Sequence, residues 1–403
     1  MRKIKRGKNV INLQDGNLQL LLELLRMHPN ATRQDLSDLT GLSPSGISKL
    51  VGFLITKGLV VEHVVTTGAK GRRAISLRLN AESVYTVGVR LARNYIKCGL
   101  FNFNGDIVYQ KREEVRSKQL SETKRTLSNL IKNTLQEAVR KKAAVYGIGI
   151  SAPGPLFSYD GRLALTSNYP EWQGFSIKHY CEDEFGLKTV VEHDANVSVL
   201  AEKWCGKGKN CENLIYVVAD RGVGAGIYYK GQIYTGHQNV AGEIGHTTID
   251  YSGEKCECGN KGCLEMYCSS TAVLNQAKEL WPADSNSLTV ARVAHLATAG
   301  DKQAHNLLIT AGTFLGIGLT NLINTYNPEM IIIGDEMTQG GELWFSAIKE
   351  AVRERTLQEI FEQTIITVSD LDPEPAFLGT GLLITNLIIE RVSSIEEVQS
   401  GTS

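Results

Sequence analysis

A chain of 403 residues is long enough to bury two or three hydrophobic cores. Its 43 basic and 43 acidic residues cancel, yet residues 1–80 hold 13 Lys and Arg against 5 Asp and Glu, a balance of +8 that leaves −8 for the remainder. A polyanion partner is therefore expected for the first eighty residues alone. No apolar run follows the charged start MRKIKRGK and no uninterrupted apolar segment approaches bilayer length, so neither leader nor membrane partner is expected. Three of the 8 cysteines sit close to one histidine. That usage fits metal binding in a reducing, cytoplasmic setting better than a disulfide framework.

In chain order, Leu18–Met27 predicts a helix ended by His28-Pro29-Asn30. Thr32 is placed to cap a second helix, with Asp35 three positions on completing a variant capping box. Leu36 and Leu39 face inward, and Gly41 permits a sharp turn. Ser43-Pro44 then opens a third helix whose apolar stripe is Ile47, Leu50, Val51 and Leu54. Two short helices joined by a glycine turn describe a helix-turn-helix. Strands predicted over Leu59–Val65 and Ala74–Leu79, joined by TTGAKGRR, add a basic wing. Double-stranded DNA is the expected partner, with Arg33, Ser43, Ser45, Ser48, Lys49, Lys70, Arg72 and Arg73 as candidate contacts. A helical protein-interaction module with a solvated basic loop is the alternative.

Strands over Tyr85–Leu91, Tyr95–Phe103 and Ile107–Val115, a helix near Ser121–Lys142 and a strand over Val145–Ile150 open an α/β unit. A second unit begins with a strand over Leu214–Ala219, followed by the loop Arg221–Gly226 and a strand over Ile227–Lys230. Helix Phe314–Thr325, strand Met330–Ile333 and helix Ala376–Arg391 close the chain, ahead of a tail expected to be disordered. The pattern predicts an α/β body of two lobes behind the winged helix-turn-helix. The expected boundaries are 1–80 for the DNA-binding domain, 81–192 plus about 376–393 for the first lobe, 193–375 for the second lobe with its metal site, and 394–403 for the tail.

The stretch Gly242–Glu265 carries most of the chemistry. His246, Cys256, Cys258 and Cys263 have the spacing His-x9-Cys-x-Cys-x4-Cys, which suits a closed tetrahedral zinc site. Glu243 and Glu265 flank the ligands. A purely structural zinc knuckle and a knuckle that also shapes a ligand-binding surface both fit this spacing.

Together these pieces resemble the ROK family of bacterial sugar kinases and sugar-responsive repressors. The resemblance rests on the winged helix-turn-helix ending in Gly71-Arg72-Arg73, and on SAPGP at Ser151–Pro155, EHDAN at Glu192–Asn196, GEIGH at Gly242–His246 and CECGNKGCLE at Cys256–Glu265. It implies an actin-like, ribonuclease-H-like fold with structural Zn2+. It further implies a sugar site using Gly154, Asn168, His193, Asp194, Glu243, His246 and Glu265, with Asp194 as the catalytic base of any retained kinase activity.

The departures fall on the nucleotide side. Family kinases place an aspartate and a Gly-Gly-Thr loop where this chain has GVRLARN at Gly88–Asn94, with Arg90 in the position of the metal-orienting carboxylate. Asp220-Arg-Gly-Val-Gly224 replaces the second phosphate loop, and Gly334-Asp335 replaces a paired glycine. ATP and Mg2+ are therefore not expected. The resemblance implies a homodimeric or homotetrameric repressor whose effector, a monosaccharide or sugar phosphate bound between the lobes, modulates operator binding. A sugar kinase with an added DNA-binding domain, and a regulator controlled mainly by a protein partner, are the alternatives.

Overall fold

The computed structural model describes residues 10–67, 72–115, 119–157, 159–163, 170–285, 287–372 and 374–392. The expected tail at 394–403 lies outside the described residues. The chain divides into two compact units. Met1–Ile150, His179–Val190 and Thr380–Ser403 make the first, and Ser151–Lys178 with Val191–Gly379 the second.

The first unit opens with α1 (Val10–Met27), α2 (Arg33–Thr40) and α3 (Pro44–Thr56). Helix α1 begins earlier than predicted, because the helix continues through Gly16, a residue that usually weakens a helix interior. Thr32 and Asp35 form the reciprocal capping box at α2, and Gly41 ends that helix with φ of 69°. Ser43 caps α3 by accepting from the Gly46 amide, with Pro44 at the first position. Strands β1 (Val60–Thr67) and β2 (Arg72–Leu79) pair antiparallel, Val60 opposite Leu79 and Thr67 opposite Arg72.

Behind this wing lie β3 (Tyr85–Leu91), β4 (Tyr95–Asn102), β5 (Ile107–Glu114), α4 (Leu120–Arg140) and β6 (Val145–Ala152). A short ladder of β7 (Leu156–Phe157) and β8 (Arg162–Leu163) precedes α5 (Ile177–Phe185) and β9 (Thr189–His193). The first sheet has the order β5-β4-β3-β6-β9. Edge strand β5 carries the run Lys111-Arg-Glu-Glu114, and such charges discourage pairing with another chain.

The winged helix does not keep a core of its own. Leu18, Leu22, Leu36, Ile47, Leu54 and Leu77 are buried in one cluster with Phe103, Ile384, Ile388 and Val392. Arg26 Nη1 of α1 also donates to Asn386 Oδ1 at 3.1 Å. Each buried leucine contributes about 1.5–3 kcal/mol, so the three N-terminal helices are fastened to the body by the same packing that folds them.

The second unit holds α6 (Asp194–Trp204), β10 (Asn213–Ala219), β11 (Val223–Tyr229) and β12 (Gln232–Ile233). Next come α7 (Glu265–Cys268), α8 (Ser270–Leu280), α9 (Val290–Thr298) and α10 (Lys302–Tyr326). Strand β13 (Met330–Gly334), α11 (Gly341–Arg355), α12 (Gln358–Gln363) and β14 (Ile365–Val368) follow, and α13 (Pro375–Glu390) starts in this unit but belongs from Thr380 onward to the first. Its sheet has the order β12-β11-β10-β13-β14. Strand β10 pairs antiparallel with β11 and parallel with β13. At 25 residues α10 is long and apolar enough to cross a bilayer by composition. Its Leu308, Leu315, Leu319 and Ile323 are instead buried in the core of this unit. A methyl at Gly312 would lie 2.5 Å from the Trp344 carbonyl, so close packing on α11 accounts for that helix's character.

Two expectations are corrected here. Leu39, expected to face inward with Leu36, is 52% exposed on α2. The segment Arg221–Gly226, read as a loop, is half strand, since β11 already starts at Val223. Gly226 serves packing, because a methyl there would sit 2.0 Å from the Ala195 carbonyl of α6.

Candidate functional site

The metal knuckle is built by a loop folded back on itself. Gly262 has φ of 61°, and a Cβ there would lie 1.7 Å from the Asp250 carbonyl, so the turn requires glycine. Asn260 Nδ2 donates to the His246 carbonyl at 3.1 Å and to Thr248 Oγ1 at 3.0 Å, pinning the two arms of the loop together. The ligand atoms of His246, Cys256, Cys258 and Cys263 all lie within 4.8 Å of one another. Cys256 Sγ is 3.7 Å from His246 Nδ1, and the Cys258 and Cys263 sulfurs are 3.6 Å apart. A tetrahedral zinc with Zn–S of about 2.3 Å has S···S edges of about 3.8 Å. The donor set fits such an ion. Burial is the main cause that pushes the Cys256 and Cys263 thiols up, so metal binding would release their protons. The other cysteines are ordinary, with Cys98, Cys181, Cys211 and Cys268 buried and Cys205 exposed.

Beside the knuckle, the second unit gathers most of the predicted sugar residues. His193 stands at the N-terminal boundary of α6 without a side-chain capping bond, and its Nε2 lies 3.3 Å from Asp194 Oδ1. A methyl on Gly154 would lie 2.4 Å from His193 Nε2 and 2.8 Å from Glu243 Oε1. These three residues therefore converge, and Gly154 leaves the space they share. Burial is the main cause that raises the Glu243 carboxyl; Asp194 and Glu265 add to it, and the imidazoles of His193 and His246 oppose it. Glu265 Oε1 lies 3.2 Å from His246 Nδ1 and accepts from Cys256 Sγ at 3.3 Å. It thus leans on two of the four residues that could hold the metal. Asn168 lies outside the described residues.

Sequence reading passed over two residues that set this geometry. Glu192 Oε1 accepts from the His193 amide at 2.8 Å and from Asn196 Nδ2 at 3.0 Å. The pair fixes the first turn of α6 and so aims His193 and Asp194. Both stand inside the EHDAN motif, but only the fold shows that they bond each other rather than a ligand.

On the DNA-reading candidate face, Ser45, Ser48 and Lys49 are exposed while Ile47, Leu50, Val51 and Leu54 are buried. Ser43 Oγ is engaged in capping, and Arg33 donates to Glu62 at 2.7 Å. Lys70 lies outside the described residues, as do the side chains of Arg72 and Arg73. If Lys49 contacts a phosphate, Lys49→Ala is expected to lower the slope of log affinity against log salt by about 0.9. Titration at several salt concentrations measures this, and an unchanged slope removes Lys49 from the interface.

The segments expected to depart on the nucleotide side make local contacts of their own. Strand β3 runs to Leu91 and the Ala92 amide donates to the Tyr95 carbonyl, so this stretch is a tight hairpin turn. Arg90 is buried, and its Nε donates to Tyr95 Oη at 3.3 Å. In the second sheet, Tyr216 Oη of β10 donates to Asp335 Oδ2, just past the end of β13, at 3.1 Å. A methyl on Gly334 would lie 1.7 Å from the same hydroxyl.

A winged helix, an actin-like α/β body and a Cys/His knuckle beside converging carboxylates define a class of bacterial sugar-related proteins. Residues 86–386 match the model of the ROK family, and the chain belongs to that family. It is 31% identical over 382 residues to the xylose repressor of Caldicellulosiruptor bescii, covering 91% of this chain and 94% of that one. Among solved structures, a ROK family transcriptional regulator described as a homolog of the E. coli MLC protein matches with a TM-score of 0.78 and 25% identity, over 95% of this chain and 100% of that one. A ROK hexokinase from Thermus thermophilus matches with a TM-score of 0.62 and 26% identity, over 74% of this chain and 97% of the hexokinase.

Proposed function

We propose that the chain is a sugar-responsive transcriptional repressor of carbohydrate-metabolism genes, working in the cytoplasm as a homodimer or homotetramer. The carrying observation is one chain that joins an exposed, capped recognition helix to the Gly154, His193, Asp194 and Glu243 cluster. Repressors among its relatives support the reading. Residues 1–80 would read DNA, 81–192 with about 376–393 would form the first lobe, and 193–375 the second. His246, Cys256, Cys258 and Cys263 would hold one structural Zn2+, which supplies shape to the sugar face rather than chemistry. Asp194, Glu243 and Glu265 would accept from ring hydroxyls of the effector, with His193 and the second nitrogen of His246 bonding others. Asn168 would add a further contact. A sugar can shift operator binding only through different affinities for two states of the protein.

The test joins two measurements on the full chain. Thermal shift with xylose, glucose, allose, N-acetylglucosamine and their phosphates asks whether any ligand raises the melting temperature. Gel shift on operator candidates, with and without that ligand, asks whether DNA affinity changes. Stabilisation by one sugar together with an altered DNA affinity is the expected result, and the absence of either overturns the proposal.

The retained Asp194 favours one second reading, a sugar kinase with an added DNA-binding element. A coupled assay with the same sugars, ATP and Mg2+ is expected to give no turnover, since phosphoryl transfer depends on charge neutralisation around the γ-phosphate. Robust turnover would favour the kinase.

A further inference from the structure

Most glycines inside the longer helices are explained by what they touch. A methyl at Gly312, Gly316 or Gly318 of α10 would come within 2.5, 2.6 or 2.4 Å of a neighbour. At Gly379 or Gly381 of α13 the distance would be 2.2 or 2.6 Å, and at Gly46 of α3 it would be 3.2 Å from the capping Ser43 hydroxyl. Gly52 of α3 has no such reason, because a methyl there would meet nothing within 4 Å and its φ is an ordinary one. Apart from proline, glycine is the least favourable residue for a helix interior. The fold alone would therefore gain from alanine at this position.

At about 100° per residue, Gly52 falls in the middle of the exposed face of α3. Lys49 and Thr56 flank it there, opposite the buried stripe of Ile47, Leu50, Val51 and Leu54. Gly16 of α1 is equally open, but it lies on a different helix, outside this face. Glycine within a helix that has no neighbour to admit suits a partner that comes close to the backbone itself.

We propose that Gly52 is the point of closest approach between α3 and duplex DNA. The missing side chain lets the helix seat deeper, so that Ser45, Ser48 and Lys49 reach the groove. This inference rests on the DNA-binding reading of α3, and the two can be told apart.

The test uses the full-length protein and a duplex selected by the wild type from a random-sequence pool, with Gly52→Ala and Gly16→Ala compared by fluorescence anisotropy and thermal melting. Both variants are expected to melt at or above the wild-type temperature. Gly16→Ala should bind as wild type does, while Gly52→Ala should lose about 10-fold in affinity. Wild-type affinity in Gly52→Ala, an equal loss in Gly16→Ala, or a lower melting temperature for Gly52→Ala overturns the inference. If the wild type selects no duplex, the DNA-binding reading fails and takes the inference with it.

Discussion

Cys258→Ala is expected to leave the purified protein without its metal and to destabilise the second unit by more than about 4 kcal/mol, the scale seen when a structural metal is lost. Cys258 is the exposed member of the ligand set, so removing its side chain opens no large cavity and the effect reports the metal. Elemental analysis should find one zinc per wild-type chain and almost none in the variant. Sugar-induced stabilisation should disappear with it, because the knuckle holds His246 and Glu265 side by side. A wild-type protein purified without zinc, or a variant that keeps both stability and sugar response, would defeat the zinc assignment.

Gly154→Ala should act in a contrasting way, sparing the metal and removing the effector response. The added methyl would press on His193 Nε2 and Glu243 Oε1, and overpacking of this kind costs about 1–3 kcal/mol. One of the two side chains must then leave its place. The expected loss of sugar affinity is at least about 10-fold, the equivalent of 1.4 kcal/mol. Calorimetric titration with the sugar that stabilises the wild type measures it, and gel shift without sugar should stay unchanged. An unaltered sugar affinity would separate Gly154 from the pocket.

Local chemistry made several features legible in the chain alone. Thr32 with Asp35, and Ser43, announce helix starts because their side chains accept from backbone amides within three residues, while Pro44 suits a first helical position because it has no amide to satisfy. The Cys/His spacing needs only a short flexible loop to close. Each of these signals is complete within a few residues, so no distant partner has to be known.

What the tertiary structure alone decided are the features whose cause lies far along the chain. Gly224, the last residue of the segment that replaces the second phosphate loop, and nearby Gly226 read as loop residues in sequence, yet they are strand positions. A methyl at Gly224 would lie 3.3 Å from His193, and one at Gly226 2.0 Å from Ala195. The apolar run of α10 acquires its meaning from α11, and the winged helix depends on the carboxyl-terminal Ile384 and Ile388 for its core. The proposed sugar cluster is of the same kind, since Gly154, His193 and Glu243 stand far apart in sequence and are brought together by packing. Composition and spacing specify what each segment can do, whereas burial and close contact specify what it is for.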